Sequence, residues 1–309
     1  MPTRKPTQSS DPDAVRPAPE TSSLGTRIDR LLVLVVLLAI WVALSAVYGT
    51  YRVGSPWGVV TRLGGDLWGG IWKGVGLLAG SLWTDSVIGA MTRPGNLASG
   101  GEILVHAGYT LSEAVAGFLL GAIPAAILPF LLRRLPILTA IIDPYMVGGY
   151  GAPKLALAPL FILWFGIGIA SKIALVAITV FFIVYFSALA GVRALDAKLV
   201  QMAQVVGASE RAVARHIVFP GAVPYIFTGF RIAMPYAIGG AVIAELISAN
   251  RGLGYLIQLS TNNFDTTGAF VALVVVTCIV FICNWCVNVV ERWLLRWRPP
   301  ADVRTEVGG

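Results

Sequence analysis

Apolar positions along the chain fall into six long runs, each close to the length of a membrane-spanning helix. A bilayer interior about 30 Å thick takes about 20 helical residues at about 1.5 Å per residue. Five runs fit one crossing each: Leu31–Tyr48, Leu111–Leu132, Ile173–Ala190, Pro224–Ser248 and Ala269–Val290. Together with a sixth run, Ile137–Ile167, they predict an all-α polytopic membrane protein with about six transmembrane helices.

The run Ile137–Ile167 differs from the others because prolines interrupt it at positions 144, 153 and 159. It fits either one kinked span or a span followed by a half-helix. Proline frees backbone groups, and a membrane tolerates these only inside protein or beside a water-filled cavity. We therefore expect this segment to lie near a solute pathway.

Polar segments flank the apolar runs. Residues 1–27 are rich in proline, serine, threonine and charge, which is typical of a disordered tail. Residues 28–101 contain the first span, which lacks a signal-peptide cleavage pattern, and then a loop rich in Gly and Trp. Within that loop, Leu63–Trp83 suits an interfacial helix better than a crossing. Residues 299–309 form a second tail.

Composition supports the membrane interpretation. The chain has 309 residues, of which 56% are hydrophobic and only 13% charged, and its mean hydropathy is +0.77. Soluble globular domains carry about 25% charged residues. These values exclude a soluble enzyme, a disordered chain and a small secreted disulfide scaffold. The net charge of +7 has no aromatic-lined basic stripe beside it, so we expect no nucleic-acid partner.

The distribution of Lys and Arg predicts the orientation in a plasma or inner membrane. If the N-terminus is cytoplasmic, fifteen of these residues fall in cytoplasmic segments, and six, among them Lys172, fall in outer segments. The other two, Lys154 and Arg231, lie within spans. The positive-inside rule then predicts that both termini are cytoplasmic.

The segment Gly191–Pro220, between the fourth and fifth spans, is much longer than a turn requires. Asp196 can cap a helix over Lys198–Val206 that carries Leu199, Met202, Ala203 and Val206 on one face. Gly207 can end that helix, and Ser209 can cap a second one over Arg211–Phe219 that Pro220 stops. Such a pair suits either a docking knob for a soluble partner or an amphipathic pair lying on the membrane surface.

This segment resembles a known motif. Gln201-Met202-Ala203, Gly207 after three residues, Ile217 after nine more, and then Phe219-Pro220 follow the EAA loop, whose pattern is EAA, x3, G, x9, I, x, LP. The loop is found in permease subunits of binding-protein-dependent ABC importers. Gln201, Met202 and Phe219 depart from the pattern, whereas Gly207, Ile217 and Pro220 keep the spacing.

The surrounding sequence resembles the nitrate/sulfonate/taurine branch of these permeases. The resemblance covers about residues 102–298. Its matching segments are 157–168, 171–172, 191–193, 224–226 with 228–229 and 231, and 244–245 with 252–256. The resemblance implies a type I importer core and a cytoplasmic coupling loop at 191–220. In that loop it implies roles for Gln201, Met202, Ala203, Gly207, Ala208, Ile217 and Pro220.

The same resemblance implies the partners. Such a permease works with an ATPase subunit that binds ATP and Mg, an extracytoplasmic solute-binding protein and a second permease copy, expected here as a homodimer in the lipid bilayer. This chain itself has no GxxxxGK[ST] phosphate loop and no HExxH or GxSxG motif. We therefore expect a permease rather than an enzyme, with no cofactor or metal of its own.

Three ionisable residues within the spans are candidates for lining the pathway, because charge inside a membrane commonly marks function. Lys154 could attract a sulfonate or another anion, or it could lie near the inner boundary and extend to headgroups. Arg231 and Glu245 lie on the fifth span, about 21 Å apart by helical rise, so they cannot pair. Asp143 is expected in a turn or cap, and Gly117 with Gly121 permits close helix packing, within the subunit or at a dimer seam.

These features favour an ATP-driven importer permease for a small solute, with an anionic solute implied by the resemblance. One alternative is a gradient-driven secondary transporter, which predicts broken helices in two corresponding halves. The chain has one broken span without a counterpart. A membrane scaffold or membrane enzyme is a further alternative, against which the long, capped cytoplasmic loop argues.

Overall fold

A computed structural model describes residues 23–49, 54–69 and 102–296. All regular secondary structure in these residues is helical. Most of the predicted N-terminal tail, the C-terminal tail and positions 70–83 of the predicted interfacial helix lie outside the described residues. The described helix there runs over 56–69, so it begins before the predicted start at Leu63.

The helices follow one another with short connections. They are α1 (Ser23–Tyr48), α2 (56–69), α3 (Glu102–Leu132), α4 (Pro136–Gly151), α5 (Ala158–Phe165), α6 (Ile169–Arg193), α7 (Ala197–Val205), α8 (Glu210–Val213), α9 (Phe219–Ser248), α10 (Leu253–Asn262) and α11 (Thr266–Leu294). A 3₁₀ turn over Lys154–Leu157 joins α4 to α5, and a π-helical turn over Ala214–Val218 joins α8 to α9.

Four helices in the described part are long and apolar enough to cross a membrane: Ile103–Leu132, Ile169–Arg193, Glu210–Ser248 and Thr266–Leu294. The proline-broken run forms a fifth candidate as two helical pieces, Pro136–Gly151 and Lys154–Phe165, bent by 85°. The apolar part of α1 is shorter, Leu31–Val47. Each predicted run is therefore helical, and the long run is broken rather than gently kinked.

The core lies where α3, α6 and α9 pack together, and alanine and β-branched side chains make up most of it. Gly117 and Gly121 bring α3 against α6: a Cβ at Gly121 would lie 2.2 Å from the carbonyl oxygen of Ala177, and one at Gly117 would lie 2.5 Å from the Cβ of Val176. These glycines therefore permit close packing within the subunit, which is the first of the two arrangements expected for them.

Two sequence predictions about proline were wrong. Asp143 and Pro144 lie inside α4, where Asp143 accepts a hydrogen bond from Arg193 of α6 at 3.1 Å, instead of forming a turn or cap. Pro220 does not stop the helix after the loop 191–220. It lies in the first turn of α9, and the chain stays helical from Glu210 to Ser248. Proline fits the first turn of a helix, and in a packed bundle the carbonyls it frees find other partners.

The helix α2, which precedes the core helices in the chain, packs against three of the later helices. Val59 of α2 is buried with Ile103, Leu253 and Val271, so α2 packs where α3, α10 and α11 meet. Arg62 of α2 forms an ion pair with Asp265, the N-cap of α11, at 2.5 Å.

Candidate functional site

The loop between α6 and α9 has the capped structure that its sequence predicts. The Asp196 carboxylate accepts a hydrogen bond from the Lys198 backbone N–H at 2.8 Å, at the start of α7. The Ser209 hydroxyl accepts one from the Ala212 N–H at 3.3 Å, at the start of α8. Capping of this kind satisfies backbone donors that a helix start leaves free. Both predicted caps are confirmed.

Gly207 makes the turn between the two helices. Its φ is +89°, a left-handed backbone conformation that costs free energy for residues with a Cβ. The N–H of Ala208 donates to the carbonyl of Ala203, and the N–H of Gly207 donates to that of Gln204, both at 2.9 Å. These bonds close the C-terminal end of α7 as glycine-terminated helices commonly do. The side chains of Gln204 and Glu210 then tie α7 to α8 at 2.6 Å.

The loop exposes an apolar tip. The exposed fractions are 65% for Met202 and 88% for each of Val205 and Val206, and Leu199 is also exposed. Gln201 and Gly207 are exposed, whereas Ala203, Ala208, Ile217 and Pro220 are half-buried. The motif positions thus divide into an exposed tip and a packed base. The π-helical turn within the base has no signal in the sequence.

Lys154 lies at the break between α4 and α5. Its ammonium donates to the carbonyl oxygens of Tyr150 (2.5 Å) and Ala152 (3.2 Å), and it lies 5.3 Å and 5.4 Å from the ring centroids of Tyr150 and Phe182. Phe182 is near the middle of α6, so Lys154 lies beside the middle of a spanning helix and not near a helix end. A lysine that extends to lipid headgroups would lie near the membrane boundary, and Lys154 does not. The 85° bend between the two helical pieces turns the chain towards α6 instead.

A cavity of about 640 Å³ opens beside Lys154. It lies between the broken span, α6 and α9, and its lining residues include Tyr150, Lys154, Thr179, Tyr236 and Gly239. Of the three candidate pathway residues, Lys154 alone is part of this lining.

Arg231 faces a different neighbour. Its guanidinium lies 3.2 Å from the carboxylate of Glu291 on α11 and 3.4 Å from the Asn288 side chain. The ion pair therefore joins α9 to α11, on a side of α9 other than the cavity lining. A role of Arg231 in the pathway stays a prediction.

Glu245 is fully buried at the end of α9 and anchors the turn into α10. Its carboxylate accepts hydrogen bonds from the Thr110 hydroxyl at 2.8 Å and from the Gly254 N–H at 2.8 Å. Thr110 in turn accepts from the Leu253 N–H, and the His106 ring accepts from the Gly252 N–H, each at 2.8 Å. Gly252 has φ +111°, and a Cβ there would lie 2.1 Å from Glu245.

A buried ion pair that the sequence patterns did not predict lies close to Glu245. Glu113 of α3 and Lys172 of α6 lie 2.8 Å apart, and their side chains are 3% and 8% exposed. Lys172 was expected in an outer segment, but it lies in the first turn of α6 because that helix begins at Ile169, before the apolar run. The rule on charges inside spans would have identified Glu113, which lies within the run Leu111–Leu132.

Comparison with known proteins defines the family. Residues 117–298 match the family described as binding-protein-dependent transport system inner membrane component, and the chain belongs to it. Its members are inner-membrane transport permeases, in agreement with the predicted ABC importer permease.

Individual relatives are named for transport of different solutes. A Bacillus subtilis (strain 168) permease protein named for aliphatic sulfonates transport, SsuC, is 32% identical over 74% of this chain and 83% of its own length. The taurine transport system permease protein TauC of Escherichia coli (strain K12) is 36% identical over 52% of this chain and 59% of its own. The riboflavin transport system permease protein RibX of Chloroflexus aurantiacus is 34% identical over 64% of this chain and 74% of its own.

A solved structure has the same fold. An inward-facing form of the MetNI methionine ABC transporter aligns over 62% of this chain and 96% of its own chain, with a TM-score of 0.55 and 15% sequence identity. This match confirms the type I importer permease fold.

Proposed function

We propose that this permease forms the translocation pathway for a small organic anion and couples it to a separate ATPase through the loop 191–220. A second copy of the chain would complete the pathway. An extracytoplasmic solute-binding protein would deliver the solute, and ATP and Mg would bind to the ATPase. Both termini of the permease would then be cytoplasmic.

One observation carries the coupling assignment: the two capped helices hold an apolar tip away from the core. Leu199, Met202, Val205 and Val206 are all exposed, and the turn at Gly207 and the Gln204–Glu210 hydrogen bond fix their arrangement. Rigid, exposed apolar side chains favour docking into a groove of a partner, because little ordering is needed on binding. Neither rival function accounts for such a tip together with the spacing of Gly207, Ile217 and Pro220.

The solute class rests on two supports. Relatives named for transport of sulfonates and taurine are among those most similar to this chain. In addition, the cavity beside the broken span carries one ammonium, that of Lys154. Another relative is named for riboflavin transport, so the identity of the solute is tested separately from the coupling role.

Substitution at the turn tests the coupling role. Gly207→Arg places a Cβ and a long charged side chain at φ +89°, which strains the turn and displaces the apolar tip. ATP-dependent uptake by the reconstituted complex should fall at least about tenfold, whereas Gly207→Asn, which tolerates a left-handed conformation, should keep most of it. Full uptake by correctly inserted Gly207→Arg would exclude the loop as the coupling element.

A further inference from the structure

We propose that the cavity at the break between α4 and α5 is a binding site for an organic monoanion, with the Lys154 ammonium as its anion-binding group. The site is formed by Lys154 and Tyr150 from the broken span, Thr179 from α6, and Tyr236 and Gly239 from α9. This inference rests on the proposed transport function and assigns a place and a charge to the solute within the subunit.

The first support for this site is the position of Lys154. Its ammonium lies beside Phe182, near the middle of the spanning helix α6, at a point where the backbone is bent by 85°. A cation at such a depth is costly unless it faces protein or a water-filled cavity, and irregular backbone is tolerated there under the same condition. The cavity of about 640 Å³ supplies that condition.

The second support is that the hydrogen-bond partners of Lys154 leave one of its donors unused. An ammonium has three N–H donors, and two of them go to the carbonyls of Tyr150 and Ala152. In the part of the chain that the structure describes, no carboxylate lies within 4 Å of it. Three carboxylates of the spanning helices there pair with other cations: Glu113 with Lys172, Asp143 with Arg193 and Glu291 with Arg231. The Glu245 carboxylate accepts hydrogen bonds from Thr110 and Gly254 instead. Apart from its contacts with the rings of Tyr150 and Phe182, the third donor and the positive charge therefore remain for a ligand.

The cavity lining defines the rest of the ligand. Besides Lys154, its walls are the rings of Tyr150 and Tyr236, aliphatic side chains including Ile183 and Ile232, and the glycines at 239 and 240. A single cation among apolar and aromatic walls suits one negative charge attached to an apolar or aromatic group. It suits a multiply charged or purely inorganic anion less well, because such an ion would remain without enough partners.

Thiol labelling in the full-length protein tests this site. Gly239→Cys places a thiol in the lining, and a Cβ there has no neighbour within 4 Å, so the helix accepts it. Cys278, Cys283 and Cys286 are first replaced by Ala, and the protein is reconstituted in nanodiscs. Two methanethiosulfonate reagents of similar size are compared, one carrying a sulfonate and one carrying a trimethylammonium group. Gly108→Cys on α3, which is exposed and equally open, is the matched control.

The expected result is a local loss of anion preference. Lys154→Met should lower the ratio of sulfonate to ammonium labelling rates at least about tenfold for Gly239→Cys and leave the Gly108→Cys ratio unchanged, since charge effects are large in a poorly solvated cavity. Lys154→Arg should keep the ratio. The probe 1-butanesulfonate should also slow labelling of Gly239→Cys with Lys154 present, whereas neutral 1-butanesulfonamide should not.

Two outcomes would overturn the site. One is a labelling ratio that Lys154→Met does not change, and the other is equal protection by the neutral sulfonamide. Constant labelling of Gly108→Cys in all variants shows that accessibility at α3 is unchanged. Because the assay contains no ATPase, its failure leaves the result of the Gly207→Arg uptake test intact, and the two proposals can fail separately.

Discussion

At the scale of single residues, the chain buries several ionisable side chains, and each has an ion-pair or hydrogen-bond partner that is distant in the sequence. Glu113 and Lys172 are 59 positions apart, and Glu245 and Thr110 are 135 apart. Sequence reasoning identifies Glu245 as unusual because it lies in an apolar run, but it cannot supply the partner, since pairing over such separations depends on how α3, α6 and α9 pack. Lys172 was assigned to an outer segment for a related reason: an apolar run marks the hydrophobic part of a helix and not its first turn.

Breaking the buried pair should cost more than removing it. Lys172→Met leaves the Glu113 carboxylate buried without its cation, and we expect a loss of about 3–5 kcal/mol in unfolding free energy. The double variant Lys172→Met/Glu113→Gln removes both charges and should recover most of that loss. Thermal unfolding of the purified protein in one detergent measures both. A double variant no more stable than Lys172→Met would contradict this account of the pair.

At the scale of helices, proline in the sequence indicates where a break is allowed and not where it occurs. Pro124 and Pro129 lie inside α3, and Pro224 and Pro235 lie inside α9, without ending either helix. The break comes at Pro153 instead, where α4 has ended at Gly151. The sequence left a kinked span and a span with a half-helix as alternatives, because the packing of α4 on α6 decides between them. Ring contacts such as Tyr150 with Phe186, at 4.9 Å, belong to that packing.

The N-terminus of α11 offers a test of helix capping by pH. Burial raises the pKa of the Asp265 carboxyl, but the Gly268 N–H and the Arg62 guanidinium lower it by more, so the pKa lies below its usual value. A depressed pKa in the folded state adds stability above the unfolded pKa of about 3.9, and this stability is lost as pH falls through the folded value.

Asp265→Asn should remove this pH dependence while keeping a capping oxygen. Because Asp265 and Arg62 are partly exposed, we expect a loss of at most about 1 kcal/mol at neutral pH and convergence of the two proteins at acidic pH. Thermal unfolding from pH 7 to pH 3 measures the difference. A gap between wild type and variant that widens as the pH falls would contradict the assignment.

At the scale of the whole molecule, the sequence predicts the helical fold, the family and the caps of the 191–220 loop. These depend on local patterns: apolar runs, capping residues and the spacing of Gly207, Ile217 and Pro220. It cannot predict the continuous helix from Glu210 to Ser248 or the cavity beside Lys154, since both depend on contacts between distant helices. Placing Lys172 within α6 does not remove the excess of Lys and Arg in the segments predicted to be cytoplasmic, so the predicted orientation is unaffected.

The central claim is that the apolar tip of the 191–220 loop docks onto a separate ATPase. Affinity purification of the tagged protein from its native membrane, followed by mass spectrometry, tests it most directly. We predict that a nucleotide-binding subunit copurifies in stoichiometric amount, is lost with Met202→Asp/Val205→Asp, and is kept with Met202→Leu/Val205→Ile. A protein that purifies alone and still transports solute when an ion gradient drives it would contradict the claim and support a secondary transporter.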